Sequence, residues 1–300
     1  MNKSLDISEY DRKALTEIHK WKNPEITWVD KALKIVNKPF DAAGDLLLDN
    51  DHVGEVIKKS IQGLTDLCND AAHWTVRPEA IFEEFRNDGY EISKYSDVYK
   101  LQLQEVDEVV GWLGAKYKSL AACEGAGAGV VGAPGLIVDI PAILILNMRA
   151  IGEYASYYGF DITQQQERLF AMNVLGFASS PTDASKSIAM PQLIRLSQDV
   201  AKNKVWKELN KSLYVKIIQE IAKALGIRLT KAKLAQMIPV MGAAIGGGYN
   251  AYFTSKVCET AWYLYRERFL AEKYGFEIIE QTVKPADNFD PEYPEDIIEL

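Results

Sequence analysis

The sequence predicts an all-α protein, a multi-helix bundle in which two glycine-rich apolar helical segments pack as a central hairpin or pair. Three observations predict it. Apolar residues recur at i, i+3, i+4 and i+7 through the first 120 residues. Proline and glycine fall where such helices would begin or end. Two long, nearly uncharged runs carry small residues every four positions, the spacing that lets helix backbones approach closely.

Taken in order, Ser8 is an N-cap residue with Asp11 three positions on, ahead of Leu15, Ile18 and Trp21, and Pro24 stops the first helix. Trp28, Val29, Ala32, Leu33 and Val36 form a second stripe, ended at Pro39. Val53, Ile57, Leu64, Cys68 and Ala71 form a third. Pro78 suits the first turn of a helix through Phe82 and Phe85, and Gly89 marks its C-terminal end. Val106, Val109, Val110, Leu113, Tyr117 and Leu120 predict one strong helix entered near Glu105. Core packing is the ordinary role of all these stripes.

Between Glu124 and Arg149 lie 24 residues, GAGAGVVGAPGLIVDIPAILILNM, whose one charge is Asp139. Between Lys233 and Lys256 lie 22 more, LAQMIPVMGAAIGGGYNAYFTS, with no charge. Both reach the length of a membrane span. Pro134, Pro141 and Pro239 interrupt them, however, and Gln236, Tyr249, Asn250, Tyr252 and Thr254 are poor lipid-facing residues. Gly125, Gly129 and Ala133 in the first run, and Gly242, Gly246, Ala243, Gly247 and Ala251 in the second, line a helix face with small side chains. A buried or interfacial hairpin is the favoured arrangement; a true span and a pore-forming insertion stay open as alternatives.

Charge restricts the partners. A formal net charge of -8 and a pI near 5.1 disfavour nucleic acid, whose phosphates attract basic surfaces. Cys68, Cys123 and Cys258 lack metal-ligand or disulfide spacing and read as buried thiols in a reducing compartment. The charged N-terminus has no apolar core of a signal peptide, so a cytoplasmic location is expected. One segment is strongly basic. From Lys202 to Lys233 nine Lys or Arg face two acids, Glu208 and Glu220, and Ile217, Ile218, Ile221 and Leu225 supply an apolar face. Such a helix suits an anionic membrane surface or an acidic partner, with Lys204, Lys207, Lys211 and Lys216 as the contacting residues. The chain then divides into one helical domain over 6–276 and an acidic, proline-marked tail over 277–300, extended and then loose. YYGFDI and KYGFEI, ending at Ile162 and Ile278, read as a repeated helix stop with glycine in the C-terminal position.

Catalytic signatures are wanting. No HExxH, GxSxG or Cys/His spacing occurs, and His19, His52 and His73 all fall in the first quarter of the chain. Ser179-Ser180-Pro181 reads as a helix cap. GAGAGVVGAPG lacks the third glycine of a dinucleotide loop, and Gly242 to Gly247 lacks the Lys and Ser/Thr of a P-loop. No catalytic residue, cofactor or metal site is therefore predicted. The ligand-binding candidates are Asp139, costly to bury unpaired, with Arg149 and Glu153 four apart on the following helix, and Asn250.

Several stretches, WKNPEITW, NDAAHWTVRPEAIFEEF, VDEVVGWLGAKYKSLAACEGA, PGLIVDIPAILILNMRAIGEYASYYGFD, VLGFASSPTDA and IRLTKAKLAQMIPVMGAAIGGGYNAYFT, carry a family likeness. The chain resembles the EcsC protein family from about Tyr10 to Phe276. The resemblance implies an α-helical bacterial protein, in a family named after a member encoded beside an ABC transporter, and no settled activity. The functional expectation is a membrane-proximal, non-enzymatic accessory or interaction protein, linked to a transporter or peripheral on the inner face of the cell membrane. The alternative is a soluble ligand-binding protein or enzyme whose pocket is walled by the glycine-rich segments.

Overall fold

The computed structural model describes residues 7–22, 51–70, 74–129, 133–179, 249–275 and 277–280, and the side chains of 51–53, 56–57, 60, 67–68, 124–140, 249 and 279–280 are outside that set. The expected helix from Trp28 to Val36, the basic segment with Lys204, Lys207, Lys211 and Lys216, and most of the second glycine-rich run lie outside the described residues. Among the described residues every regular element is a helix: α1 (Glu9–Lys22), α2 (Asp51–Asn69), α3 (Pro78–Asn87), α4 (Tyr95–Val98), α5 (Leu103–Val110), α6 (Leu113–Gly129), α7 (Ala133–Tyr157), α8 (Gln165–Ala178), α9 (Tyr249–Tyr274) and α10 (Glu277–Glu280).

Local chemistry explains the ends. Ser8 Oγ accepts the Asp11 backbone N–H at 3.0 Å, so the expected cap of α1 forms. Pro78 occupies the first turn of α3, and Gly89, at φ +91°, terminates it by donating its N–H to the Arg86 carbonyl. Both YGF stops act as read: Gly159 has φ +86° and Gly275 +99°, each just beyond a helix end.

Two expectations change. The single helix expected from Glu105 is two helices, because Gly111 takes φ +43° and the chain turns between Val110 and Leu113. Leu113 and Tyr117 stay in phase with Val106 and Val110, which is why periodicity does not reveal the break. Residues 277–280, expected to be extended, form the short helix α10, anchored by buried Ile278.

Helix α9 is the axis of the bundle and packs on α1, α5, α6, α7, α8 and α10. Leu264 to Ala271 are eight consecutive buried residues, more than two helical turns, so α9 is covered on every side there. Three of the eight are charged, and they point in different directions. Each meets a countercharge from another element. Arg266 reaches Asp107 of α5 at 2.9 Å and Glu17 of α1 at 3.1 Å. Glu267 pairs with buried Lys22 of α1. Arg268 makes a two-pronged pair with Glu167 of α8, at 2.6 and 2.7 Å, and lies over the rings of Phe160 and Phe170.

Asp107 is itself a hub, accepting hydrogen bonds from Tyr158 at 2.6 Å and Tyr10 at 2.8 Å. Burial raises its carboxyl pKa, against the opposing pull of Arg266 and the two hydroxyls. At the far end of α1, Asp11 accepts from Lys273 at 3.1 Å and from Tyr274. Helix α1 is thus held mainly through polar contacts, with Ala14 and Ile18 its fully buried apolar residues and Trp21 stacked on Tyr263 at 4.9 Å.

The Glu167–Arg268 pair gives a direct test. Glu167→Gln leaves a buried guanidinium without its countercharge and should cost about 3–5 kcal/mol in denaturant unfolding. Glu167→Met combined with Arg268→Met should recover most of that loss. A double variant no more stable than Glu167→Gln alone would show that the pair is not the relevant interaction.

Candidate functional site

Helices α6, α7 and α9 form an antiparallel group whose register follows from its contacts. A Cβ added to Gly114 of α6 would lie 3.1 Å from the Tyr154 hydroxyl of α7 and 3.8 Å from Cys258 Cβ of α9. The three helices close together at this level because residue 114 has no side chain. Asp107 meets Tyr158 and Arg266 on the other side of it, so α7 and α9 run together while α6 runs against both.

Just beyond Gly114 lies a charged node. Glu153 of α7 is buried, and its two oxygens are shared between two cations. Lys116 Nζ of α6 donates to Oε2 at 3.0 Å, and Arg149 Nε, one turn back on α7, donates to Oε1 at 3.1 Å. Lys116 is half exposed and Arg149 about one-third exposed, so the cations reach solvent while the carboxylate does not. Tyr117 lies beside the same carboxylate, and burial together with that charge pushes its hydroxyl pKa up. Burial, with Glu153 adding to it, pushes the Cys258 thiol up to about 12. The node can therefore hold two cations side by side at the surface. It presents no activated nucleophile.

The structure brings Arg149 and Glu153 together as a structural ion pair. It does not bring Asn250 to that pair. Asn250 is buried, yet lies eight residues before Cys258 on α9, about 12 Å along the axis. Asp139 lies ten residues before Arg149 on α7, about 15 Å along the axis, and its side chain is outside the described set. A shallow surface depression lined by Arg86, Gly89, Tyr90, Glu91, Ile92 and Ser93 involves none of the four. Among the described residues no His, Cys, Asp and Glu cluster could hold a metal, and no helix is long and apolar enough to cross a membrane.

Lys116, Tyr117 and Cys258 are members of the node that sequence reading missed, since their meeting depends on tertiary register. The Arg266-Glu267-Arg268 triplet was missed too, although a local signal existed: three charges inside the otherwise apolar run of Leu264, Tyr265, Phe269 and Leu270.

Thiol chemistry checks this geometry. Cys123, expected to be a buried thiol, is exposed, so iodoacetamide at neutral pH should label it and leave native Cys258 unmodified, read by peptide mass mapping. Equal labelling of both in the folded protein would contradict the packing of α9 against Gly114.

Comparison with known proteins places the chain. The model of the EcsC protein family matches residues 12–270. Protein EcsC of Bacillus subtilis (strain 168) is 31% identical over 184 residues, covering 61% of this chain and 72% of that protein. The uncharacterized protein YdbA of the same organism is 28% identical over 278 residues, 86% of this chain and 92% of YdbA. No solved structure matches significantly. With most of its length matched by the family model, this chain belongs to the EcsC protein family.

Proposed function

We propose that this chain is a membrane-proximal accessory or interaction protein that docks peripherally on an anionic membrane surface and is not itself an enzyme. One observation supports the reading above others: the two ends of the α6–α7–α9 group differ in both charge and apolar exposure. Toward the glycine-rich runs, residues 113–129, 133–156 and 249–259 carry Lys116, Lys118, Arg149 and Lys256 against Glu124, Asp139, Glu153 and Glu259. That is four cations to four acids. At the opposite end, residues 97–110, 157–168 and 260–274 carry five cations against eight acids.

Exposed large apolar residues follow the same polarity. Of the four described, Leu120, Ile145 and Tyr252 lie on the glycine-rich side of the Gly114 level, and Trp112 projects from the Gly111 turn. An apolar end without the acidic excess of the opposite end, in a chain of net charge -8, suits an anionic lipid surface. The Lys204, Lys207, Lys211 and Lys216 segment strengthens the attraction from the sequence side. The rival reading, a ligand pocket using Arg149 and Glu153, is weakened because these two groups already satisfy each other.

Flotation of the purified chain with neutral and anionic vesicles at low and high salt tests the proposal. The expected result is flotation with anionic vesicles that weakens as salt rises, and a strong loss in the folded Lys204→Glu, Lys207→Glu, Lys211→Glu, Lys216→Glu variant. Failure of the wild-type chain to float under any condition would defeat it.

A further inference from the structure

Helix α6 is covered on one side only. Leu113, Tyr117 and Ala121 are buried and Gly114 closes on α7 and α9, while every other residue from 115 to 123 is exposed. Trp112 opens the helix, its carbonyl accepting the Lys116 N–H at 2.9 Å, and is 86% exposed. At about 100° per residue, Trp112, Ala115, Lys116, Ala122 and Cys123 all fall within about 60° of Ser119. Lys118 and Leu120 stand at the two edges of this face, about 100° from its centre. The face holds no acid: residues 112–123 carry two lysines and neither Asp nor Glu, in a chain of net charge -8.

Nearby acids are turned elsewhere. Glu124 occupies a position about 140° from Ser119, between those of buried Leu113 and Tyr117 on the helical wheel. Glu108 precedes the Gly111 turn and accepts the Gln104 amide at 3.0 Å. Glu153 is buried and steadies Lys116, which stays half exposed, and Lys118 has no salt bridge among the described residues. Unpaired like charges disfavour a second copy of the chain on this face and favour an anionic surface. The small side chains of Ala115, Ser119 and Ala122 let such a surface come close, and Trp112 has the amphipathic ring that suits the headgroup level. On adjoining α9, exposed Tyr252 lies six residues before Cys258 and so is level with Leu120, six residues after Gly114 in the antiparallel helix.

We infer that α6 lies side-on in the headgroup layer of an anionic membrane, with Trp112 reaching the acyl boundary and Lys116 and Lys118 on lipid phosphates. The helix axis then runs along the membrane, so the glycine-rich continuation of α6 stays parallel to the surface and does not enter the acyl layer. Helix α7 meets α6 at Gly114, about 140° round from Ser119, and therefore lies behind α6 with Asp139 on the bundle side. The two lysines differ in role. Lys116 points outward on the face itself, whereas Lys118 sits at its edge and reaches the phosphates through its long stem. This inference rests on the membrane-docking reading above and adds an orientation, a shallow depth and named contacts to it.

The test is quantitative binding of the full-length chain to phosphatidylcholine vesicles with and without phosphatidylglycerol, with helical circular dichroism confirming the fold of each variant. Trp112→Ser should lower affinity for phosphatidylglycerol vesicles roughly tenfold. Lys116→Gln with Lys118→Gln should lower it roughly fivefold for each cation lost, while Arg149 still neutralises Glu153. A control, Lys13→Gln with Lys94→Gln, removes two exposed cations outside α6 and should lose about twofold or less. In the wild-type chain, phosphatidylglycerol vesicles should protect exposed Cys123 from a membrane-impermeant maleimide, read by peptide mass mapping. A Trp112→Ser chain that binds as wild type does, a lysine variant that loses no more than the control, or unchanged Cys123 labelling in vesicle-bound chain overturns the α6 face while leaving docking intact. A solution dimer that Trp112→Ser dissociates would assign the face to a second copy and overturn it too. Wild-type chain that binds neither vesicle overturns both readings.

Discussion

A helix buried on every side that nevertheless carries Arg266, Glu267 and Arg268 in succession constrains the whole bundle. Consecutive helical residues point about 100° apart, so no single neighbour can neutralise all three. Partners must come from different elements, and they do: Asp107 from α5, Glu17 and Lys22 from α1, Glu167 from α8. An uncompensated charge in that position would cost several kcal/mol, whereas hydrophobic contacts alone tolerate sliding and repacking. The charges thus specify where α1, α5 and α8 sit on α9, and the aromatic rings around Arg268 fill the space between.

With the acidic half of the bundle locked in this way, the other half is arranged differently. Past Gly114 the charges are fewer and balanced in sign, Lys116 and Arg149 reach solvent, and the side chains left exposed include large apolar ones. One carboxylate, Glu153, is buried there, and it braces two outward cations. The same physics that closes one end, pairing buried charges to exhaustion, leaves the other end with cations that still reach solvent. The docking to an anionic surface that we propose would use that difference.

Much of the fold was legible in the sequence because its signals are local. Ser8, Pro78, Gly89, Gly159 and Gly275 each act through their own backbone, and each behaves as its residue type requires. The Gly111 break was not legible, since a positive φ can interrupt a helix while the apolar phase continues on both sides. At the candidate site, Arg149 and Glu153 were found because i,i+4 spacing is a local cue. Lys116 was not, because it reaches Glu153 only once α6 and α7 are in register. Asn250 was grouped with them by composition, and the helix axis separates them. The EcsC family match over residues 12–270 bears out the family likeness and is silent on what the protein does.

The central claim, that the glycine-rich end faces lipid, is tested most directly by measuring how deep two points of the surface lie. A nitroxide at Tyr252→Cys and another at Lys94→Cys, each in a full-length chain carrying Cys68→Ser and Cys123→Ser, can be compared for collisions with oxygen and with a water-soluble nickel chelate on phosphatidylglycerol-containing vesicles. The account predicts that the label at 252 gains oxygen collisions and loses nickel collisions on vesicle addition, while the label at 94 stays accessible to nickel. Unchanged nickel access at 252, or protection at 94 instead, would contradict it.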